Sequence, residues 1–212
     1  MKKLTTSLLF SLLFVSFIAI GQEKKKLPKT DYVITMDTDF GQMIILLCDA
    51  TPKHKENFIK LATTGFYNGT TFHRIIKDFM IQGGDPNSKD SLPTNDGIGG
   101  PGYNIPAEFV PSLKHVKGAL AAARMGDQIN PKKESSGSQF YIVHNAKGTP
   151  FLDGSYTVFG QVVKGLEVVD KISEQPKDMR DRPSKSITMK VGTKKMKVKQ
   201  IIKLYNCETF YN

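Results

Sequence analysis

The sequence predicts a mainly β fold, a closed or nearly closed antiparallel barrel, on three observations. Short runs rich in β-branched and aromatic residues recur along the chain, turn-forming residues separate them, and only two stretches carry helical spacing. No internal repeat interrupts this pattern.

The elements follow in order. "YVITMDT" and "GQMIILLC", separated by "DFG", read as a hairpin over 32–48. Thr51 then Pro52 marks a helix start, with proline at the first position, where its missing N–H costs nothing. Phe58, Leu61 and Ala62 supply that helix with an apolar face, and Gly65 ends it. Strand-like runs come next at 71–76, 79–84, 118–123, 138–143 and 157–163. A second helix is expected within "LEVVDKIS" (166–173), and strands return at 186–192 and 197–206. In the C-terminal run the lysines alternate with Met196, Val198 and Ile201, which reads as the wet face of a strand. Segment 85–104, dense in Gly, Pro, Asn and Asp, is a loop, and 126–137 is another.

The chain has 212 residues. Lys2 and Lys3 precede an almost wholly apolar run from Leu8 to Ile20, with the small residues Ala19 and Gly21 at its end. Spanning a bilayer takes roughly 20 apolar residues, so a cleavable export signal over 1–21 is expected, with an uncleaved anchor as the alternative. The expected organisation is this signal, a charged linker at 22–30, one domain over 31–206 and a short tail at 207–212, in a protein exported to a periplasm. Losing Lys2 and Lys3 lowers the formal charge from +10 to +8, much of it in 23–26 and 194–203. Such a charge could attract nucleic acid or anionic lipid. The alternation assigns the lysines to a solvated face instead, so no nucleic-acid partner is expected; no later stretch is long and apolar enough to cross a bilayer, so no stable membrane insertion is expected. Cys48 and Cys207 are too few for a disulfide framework and are expected as buried thiols.

Several motifs fail on context. "GIGGPG" (97–102) matches a dinucleotide-binding pattern in letters, but turn residues precede it and no helix follows. Ser138 in "SGSQF" lacks the second glycine of a nucleophile elbow. Asn68-Gly69-Thr70 is a short glycosylation sequon of a kind that often arises by accident. His54 is read as an exposed helix residue, and His115 and His144 have no metal-ligand spacing. There is no H-E-x-x-H, C-x-x-C or P-loop.

One stretch resists a structural reading. In "TFHRIIKDFMIQGGD" (71–85), Arg74 and Gln82 stand among Phe72, Ile75, Ile76, Phe79, Met80 and Ile81. Long polar side chains are costly to bury without partners. The stretch resembles the signature of the cyclophilins, the cyclosporin-type peptidyl-prolyl isomerases. The resemblance continues through "GGPGYNIPAEF" (99–109), "GALAAAR" (118–124), "SGSQFYIV" (136–143) and "FLDGSYTVFGQVVKGLEVVDKI" (151–172), in order, over about 31–192.

The resemblance implies an eight-stranded antiparallel barrel capped by two helices, and an isomerase of X–Pro bonds acting on proline-containing polypeptides. It places Arg74 as the donor to the prolyl nitrogen, Gln82 as its support and a contact for substrate backbone, and His73 beside them. Phe79, Met80, Tyr141 and Leu152 would line a proline socket with Phe151 next to them. Gln139 would line the groove, and the backbone at Ala123 and Arg124 would grip the substrate chain. Four departures from many members stand out: Phe151 for tryptophan, Tyr156 for histidine, Arg124 for asparagine, and Lys77-Asp78 for a Pro-Gly turn. The first removes an indole N–H, so cyclosporin binding should weaken more than catalysis. The loops 86–98 and 127–136 look longer than in compact members. No metal, cofactor or covalent intermediate is expected, and the protein is expected to be a monomer. A proline-peptide binding module or chaperone with incidental turnover is the alternative function; a nucleic-acid or membrane-surface role is a weaker third.

Overall fold

The computed structural model describes residues 27–90 and 92–211. The expected signal at 1–21, and most of the expected linker, lie outside the described residues.

The hairpin is β1 (Thr30–Thr38) with β2 (Gly41–Leu47), paired from Val33↔Leu46 to Thr38↔Gly41. Helix α1 (Pro52–Thr63) opens with its proline at the first position, as expected. The stretch 71–85 then yields β3 (Arg74–Ile76) and β4 (Met80–Gly83). Further along come β5 (Asn104–Ile105), β6 (Ala119–Ala122), β7 (Ser135–Ser136), β8 (Phe140–Val143) and β9 (Val158–Lys164). The chain continues with α2 (Leu166–Ser173), β10 (Lys190–Lys197), α3 (Val198–Tyr205) and α4 (Glu208–Tyr211).

Eight strands form one antiparallel sheet in the order β10-β1-β2-β9-β6-β8-β4-β3, while β5 pairs with β7 to tie the two long loops together. The sheet does not close into the expected barrel, because β3 and β10 form no ladder. Across the seam runs one isolated bridge, Thr71↔Thr188, with the bonds Phe72 N–H to Ile187 O (2.9 Å) and Met189 N–H to Thr70 O (2.9 Å). Segment 177–182 takes up the free edge of β3. Ile75 N–H donates to Asp181 O (2.8 Å), and Lys177 Nζ donates to Ile75 O (3.1 Å).

The period of two decides which residues face which way. Inward go Ile75, Ile81, Leu120, Ala122, Phe140 and Ile142, meeting Phe58 and Leu61 of α1 and Val168, Val169 and Ile172 of α2 in the main core. Outward, on β4, β6 and β8 and at the start of β9, go Met80, Ala119, Ala121, Tyr141, Val143 and Val158, which form a second apolar cluster. At Gly84, φ is +85° and an added Cβ would collide with Ser138 O, so only glycine carries the chain out of β4 into its loop.

The expected strand at 197–206 is instead helix α3. Val198, Ile201, Ile202 and Tyr205 recur at helical spacing, and the three-residue step from Val198 to Ile201 already breaks a strand alternation. Asn206 ends the helix in the left-handed region at φ +50°. Helices α3 and α4 bring Ile201, Cys207, Phe210 and Tyr211 onto Val33, Ile44 and Leu46, covering the outer face of β1 and β2. Cys48 and Cys207 are free and buried, as expected.

His54 is buried, not exposed. Its Nδ1 meets Glu108 Oε2 at 2.7 Å, and the same carboxylate accepts the Lys53 (3.1 Å) and His54 (3.0 Å) backbone N–H groups. Glu108 thus serves the otherwise unpaired donors at the start of α1, 54 residues upstream.

Candidate active site

Arg74 and Gln82 are register partners across β3 and β4, so their side chains share the outward face. Arg74 Nη1 lies 3.5 Å from Gln82 Oε1, Gln82 Nε2 donates to Gln139 Oε1 (3.2 Å), and Gln139 Nε2 donates to Gly99 O (2.8 Å). A relay of amides therefore runs from the guanidinium to the loop 85–104. Gln82 also lines two cavities at once. One, of about 640 Å³, holds His73, Arg74, Asp96, Met179 and Arg180. The other, of about 710 Å³, holds Gly99, Tyr103, Arg124, Ile129 and Gln139.

Arg74 is the exposed member, with 41% of its side chain accessible, and Asp181 Oδ2 stands 3.8 Å from its Nε. Asp181 occupies the left-handed region at φ +65° on the segment that covers β3. Sequence reasoning missed it, because 107 residues separate it from Arg74 and no local pattern marks it. His73 is buried, and neither ring nitrogen has a hydrogen-bond partner within the described residues. Burial lowers its pKa against the opposing pull of Asp85 and Asp96, which keeps the ring neutral near pH 7.

The outward cluster beside Arg74 gathers the other expected residues. Met80 and Tyr141 are buried in it, and Phe79, Ala123, Leu152 and Tyr156 pack against it. Phe151 is 71% exposed and stacks on Phe79 at 5.9 Å and 25°. The turn at Lys77-Asp78 holds Asp78 at φ +59°, a conformation aspartate tolerates better than most residues, and Asp78 N–H donates to His144 Nδ1 (2.9 Å).

The two backbone positions expected to grip a peptide differ. Ala123 already donates its N–H to Gln139 O (3.0 Å) and accepts from Ser136 N–H (2.8 Å). Arg124 makes no backbone hydrogen bond within the described residues, so its own N–H and C=O are left available. Its side chain is tied down. It donates to Ser155 O (2.8 Å) and Asp127 Oδ1 (2.6 Å) and lies 4.5 Å over the Tyr156 ring. Among the described residues no group of three or more His, Cys, Asp or Glu side chains converges as a metal site would require.

The site is thus an accessible guanidinium steadied by an amide relay, next to an aromatic-lined apolar surface and the unpaired backbone N–H and C=O of Arg124. It can bind an extended peptide, seat an apolar ring and direct a charged donor at an atom beside that ring.

Comparison with known proteins covers the part of the chain in which these residues lie. The family model described as cyclophilin type peptidyl-prolyl cis-trans isomerase/CLD matches residues 33–193. A peptidyl-prolyl cis-trans isomerase-like 2 from Rhizopus delemar is 43% identical over 171 residues, a match covering 78% of this chain but 29% of that longer protein. A peptidyl-prolyl cis-trans isomerase-like 1 from Neurospora crassa is 40% identical over 159 residues, covering 73% of this chain and 88% of that one. The crystal structure of a cyclophilin type peptidyl-prolyl cis-trans isomerase from Cryptosporidium parvum superposes with a TM-score of 0.67 at 32% identity, over 78% of this chain and 98% of that one. A second structure of that protein, in the presence of the dipeptide Ala-Pro, gives 0.65 at 32% identity, over 76% and 97%.

Proposed function

The chain belongs to the cyclophilin-type peptidyl-prolyl cis-trans isomerase family, and from that premise we propose that it turns X–Pro bonds of other exported polypeptides, with Arg74 carrying the step. It is a peptidyl-prolyl cis-trans isomerase. The observation that supports the role of Arg74 is its partly exposed side chain, in register with Gln82 and, through it, with Tyr141 of the apolar outward cluster.

An X–Pro amide resists rotation by roughly 18–20 kcal/mol, because resonance gives its C–N bond partial double-bond character. At the twisted midpoint that resonance is lost and the prolyl nitrogen regains a lone pair. A donor aimed at this nitrogen bonds the twisted amide and finds nothing to bond in the planar one, so it lowers the barrier selectively. Arginine suits the task, being always charged and rigid. In this reading Gln82 limits the swing of Arg74, Phe79, Met80, Tyr141 and Leu152 seat the proline ring, and the Arg124 backbone pairs with the substrate backbone. With the ring and the preceding chain both held, rotation about one bond remains. The step needs no bond to be made or broken.

Proline-containing polypeptides are the proposed substrates, in keeping with the Ala-Pro dipeptide used with the Cryptosporidium protein. Export to a periplasm is proposed from the basic and apolar opening of the sequence alone, since the family match begins at residue 33. N-terminal sequencing of the mature protein from fractionated cells tests it, and a start at residue 1 in the cytoplasmic fraction would reject it.

The test of Arg74 is exchange NMR on a proline peptide with the parent, Arg74→Ala and Arg74→Lys. Loss of about 10²–10³-fold in turnover for alanine is expected, with lysine in between because it keeps charge but not the fork. An alanine variant that turns over like the parent would move the reading to a binding module.

A further inference from the structure

Beneath the proposed proline socket lies a hydrogen-bonded chain that the isomerase step does not use. Tyr141, whose ring belongs to the outward cluster, meets His115 Nε2 through its hydroxyl at 2.9 Å. On the other side of the imidazole, Nδ1 lies 2.8 Å from Asp153 Oδ1, and the same oxygen accepts the His115 backbone N–H (3.1 Å). Lys114 Nζ stands 3.3 Å from Asp153 Oδ2. His115 and Tyr141 are 2% and 5% exposed, and their rings stack at 6.0 Å and 12°. The backbone of His115 is fixed too, its carbonyl accepting from Thr149 N–H at 2.8 Å.

Chemistry assigns the protons. Asp153 is held ionised: burial opposes this, but the bonds from His115 and Lys114 prevail and lower its pKa. An ionised carboxylate accepts, so His115 Nδ1 carries the proton and its Nε2 is left as an acceptor. The Tyr141 hydroxyl then donates to Nε2. The phenol is too buried to ionise readily, and burial raises its pKa well above the ordinary value. It is neither a nucleophile nor an acid here. A tyrosine with its ring in a binding surface and its hydroxyl tied beneath it has a fixed ring plane.

We propose that Asp153 and His115 are positioning residues that lock the Tyr141 ring as the floor of the proline socket, so that the groove is shaped before the substrate arrives. The proposal rests on the isomerase reading of the Arg74 face. The bond has a polarity: a protonated His115 would donate from Nε2 and turn the Tyr141 hydroxyl from donor to acceptor, so the bond reverses and the ring stays tied. Asp153, Lys114, Tyr141, and beyond it Tyr156 and Arg124, are the titratable or charged groups that bear on this imidazole and phenol. Burial lowers the His115 pKa, with Asp153 pulling the other way, so near pH 7 the phenol is the donor in this bond.

The test is a double-mutant cycle read by exchange NMR as KM and kcat. His115→Leu, which keeps bulk and removes both bonds, is made in the parent and in Tyr141→Phe; His115→Gln, whose amide can still accept from the phenol, is the rescue. In the parent His115→Leu is expected to raise KM about five-fold with kcat little changed, and His115→Gln to recover most of it. In the Tyr141→Phe background the same leucine substitution should raise KM less than about two-fold. An equal KM effect in both backgrounds, or a fall in kcat at constant KM, would overturn the proposal. Should His115→Leu fail to fold, Asp153→Ala replaces it with the same expectations, since it removes the carboxylate that fixes the imidazole's orientation. Arg74→Ala, run alongside, separates failure of this proposal from failure of the isomerase reading, because it tests turnover without touching the chain beneath the socket.

Discussion

Gln82 stands between Arg74 and Gln139, 3.5 Å from the one and 3.2 Å from the other, and it belongs to the walls of both cavities. Its value to the site is geometric. Gln82→Leu keeps the size and removes both bonds, leaving Arg74 free to swing toward Asp181. We expect kcat/KM to fall about ten-fold, equivalent to about 1.4 kcal/mol of transition-state stabilisation, with the fold intact by circular dichroism. Unchanged kinetics would show that Arg74 is steadied by something else.

Acid should destabilise the protein earlier than its carboxylates alone would require. Burial lowers the pKa of His54, His73 and His115 below their ordinary 6.5. Between that unfolded value and the lower folded one, the unfolded chain binds protons that the folded protein refuses. Stability therefore rises with pH and is lost as pH falls below 6.5, by at most about 1.4 kcal/mol per pH unit for each histidine. Urea midpoints at pH 7.5, 6.5 and 5.5 measure it. This window lies above the ordinary values of Glu108 (4.5) and Asp153 (3.8), which add their own losses only at lower pH. A flat profile from 7.5 to 5.5 would reject the assignment.

The packing of α3 should be worth a large share of the stability without touching turnover. Ile201 is fully buried against β1 and β2, in a cluster separate from the one beside Arg74. Ile201→Ala is expected to cost about 3 kcal/mol in chemical denaturation, with kcat/KM of the folded protein unchanged. A loss below about 1 kcal/mol would mean the helix is a loose appendage.

Neither thiol should react in the native state. Burial pushes the Cys48 pKa up to about 12 and raises that of Cys207. Alkylation at pH 8 should be slow for both, and fast for both in denaturant. Rapid native labelling of either would contradict its burial.

The parts of the fold that sequence made legible were those with local causes. The hairpin, the proline-started helix α1 and the amphipathic α2 each carry their signal within a dozen residues. Helix α3 was misread because Lys197 and Lys199 flank Val198 and carry the lysine alternation of β10 into its first turn, so a short window there looks like a strand. The open seam was invisible, since whether β3 and β10 pair depends on the course of 177–189. At the site, Arg74 and Gln82 could be singled out as polar residues misplaced among strand-formers. The partners of His54, Arg74 and His115 could not, because Glu108, Asp181 and Asp153 meet them across the fold rather than along the chain.

The cover on β3 has a consequence for motion. The strand that bears Arg74 is only three residues long, and at Ile75 its outer edge is satisfied by a loop instead of a strand. A loop lifts at lower cost than a ladder unzips, so the Ile75 amide should exchange with solvent through a local opening, well before the amides of β1 and β2. While the cover is lifted, Arg74 loses its neighbour Asp181 and the bare edge can accept an extended chain. Deuterium uptake at Ile75 is then a clock for how often the reactive edge is uncovered, set by 177–182 and independent of the core behind it.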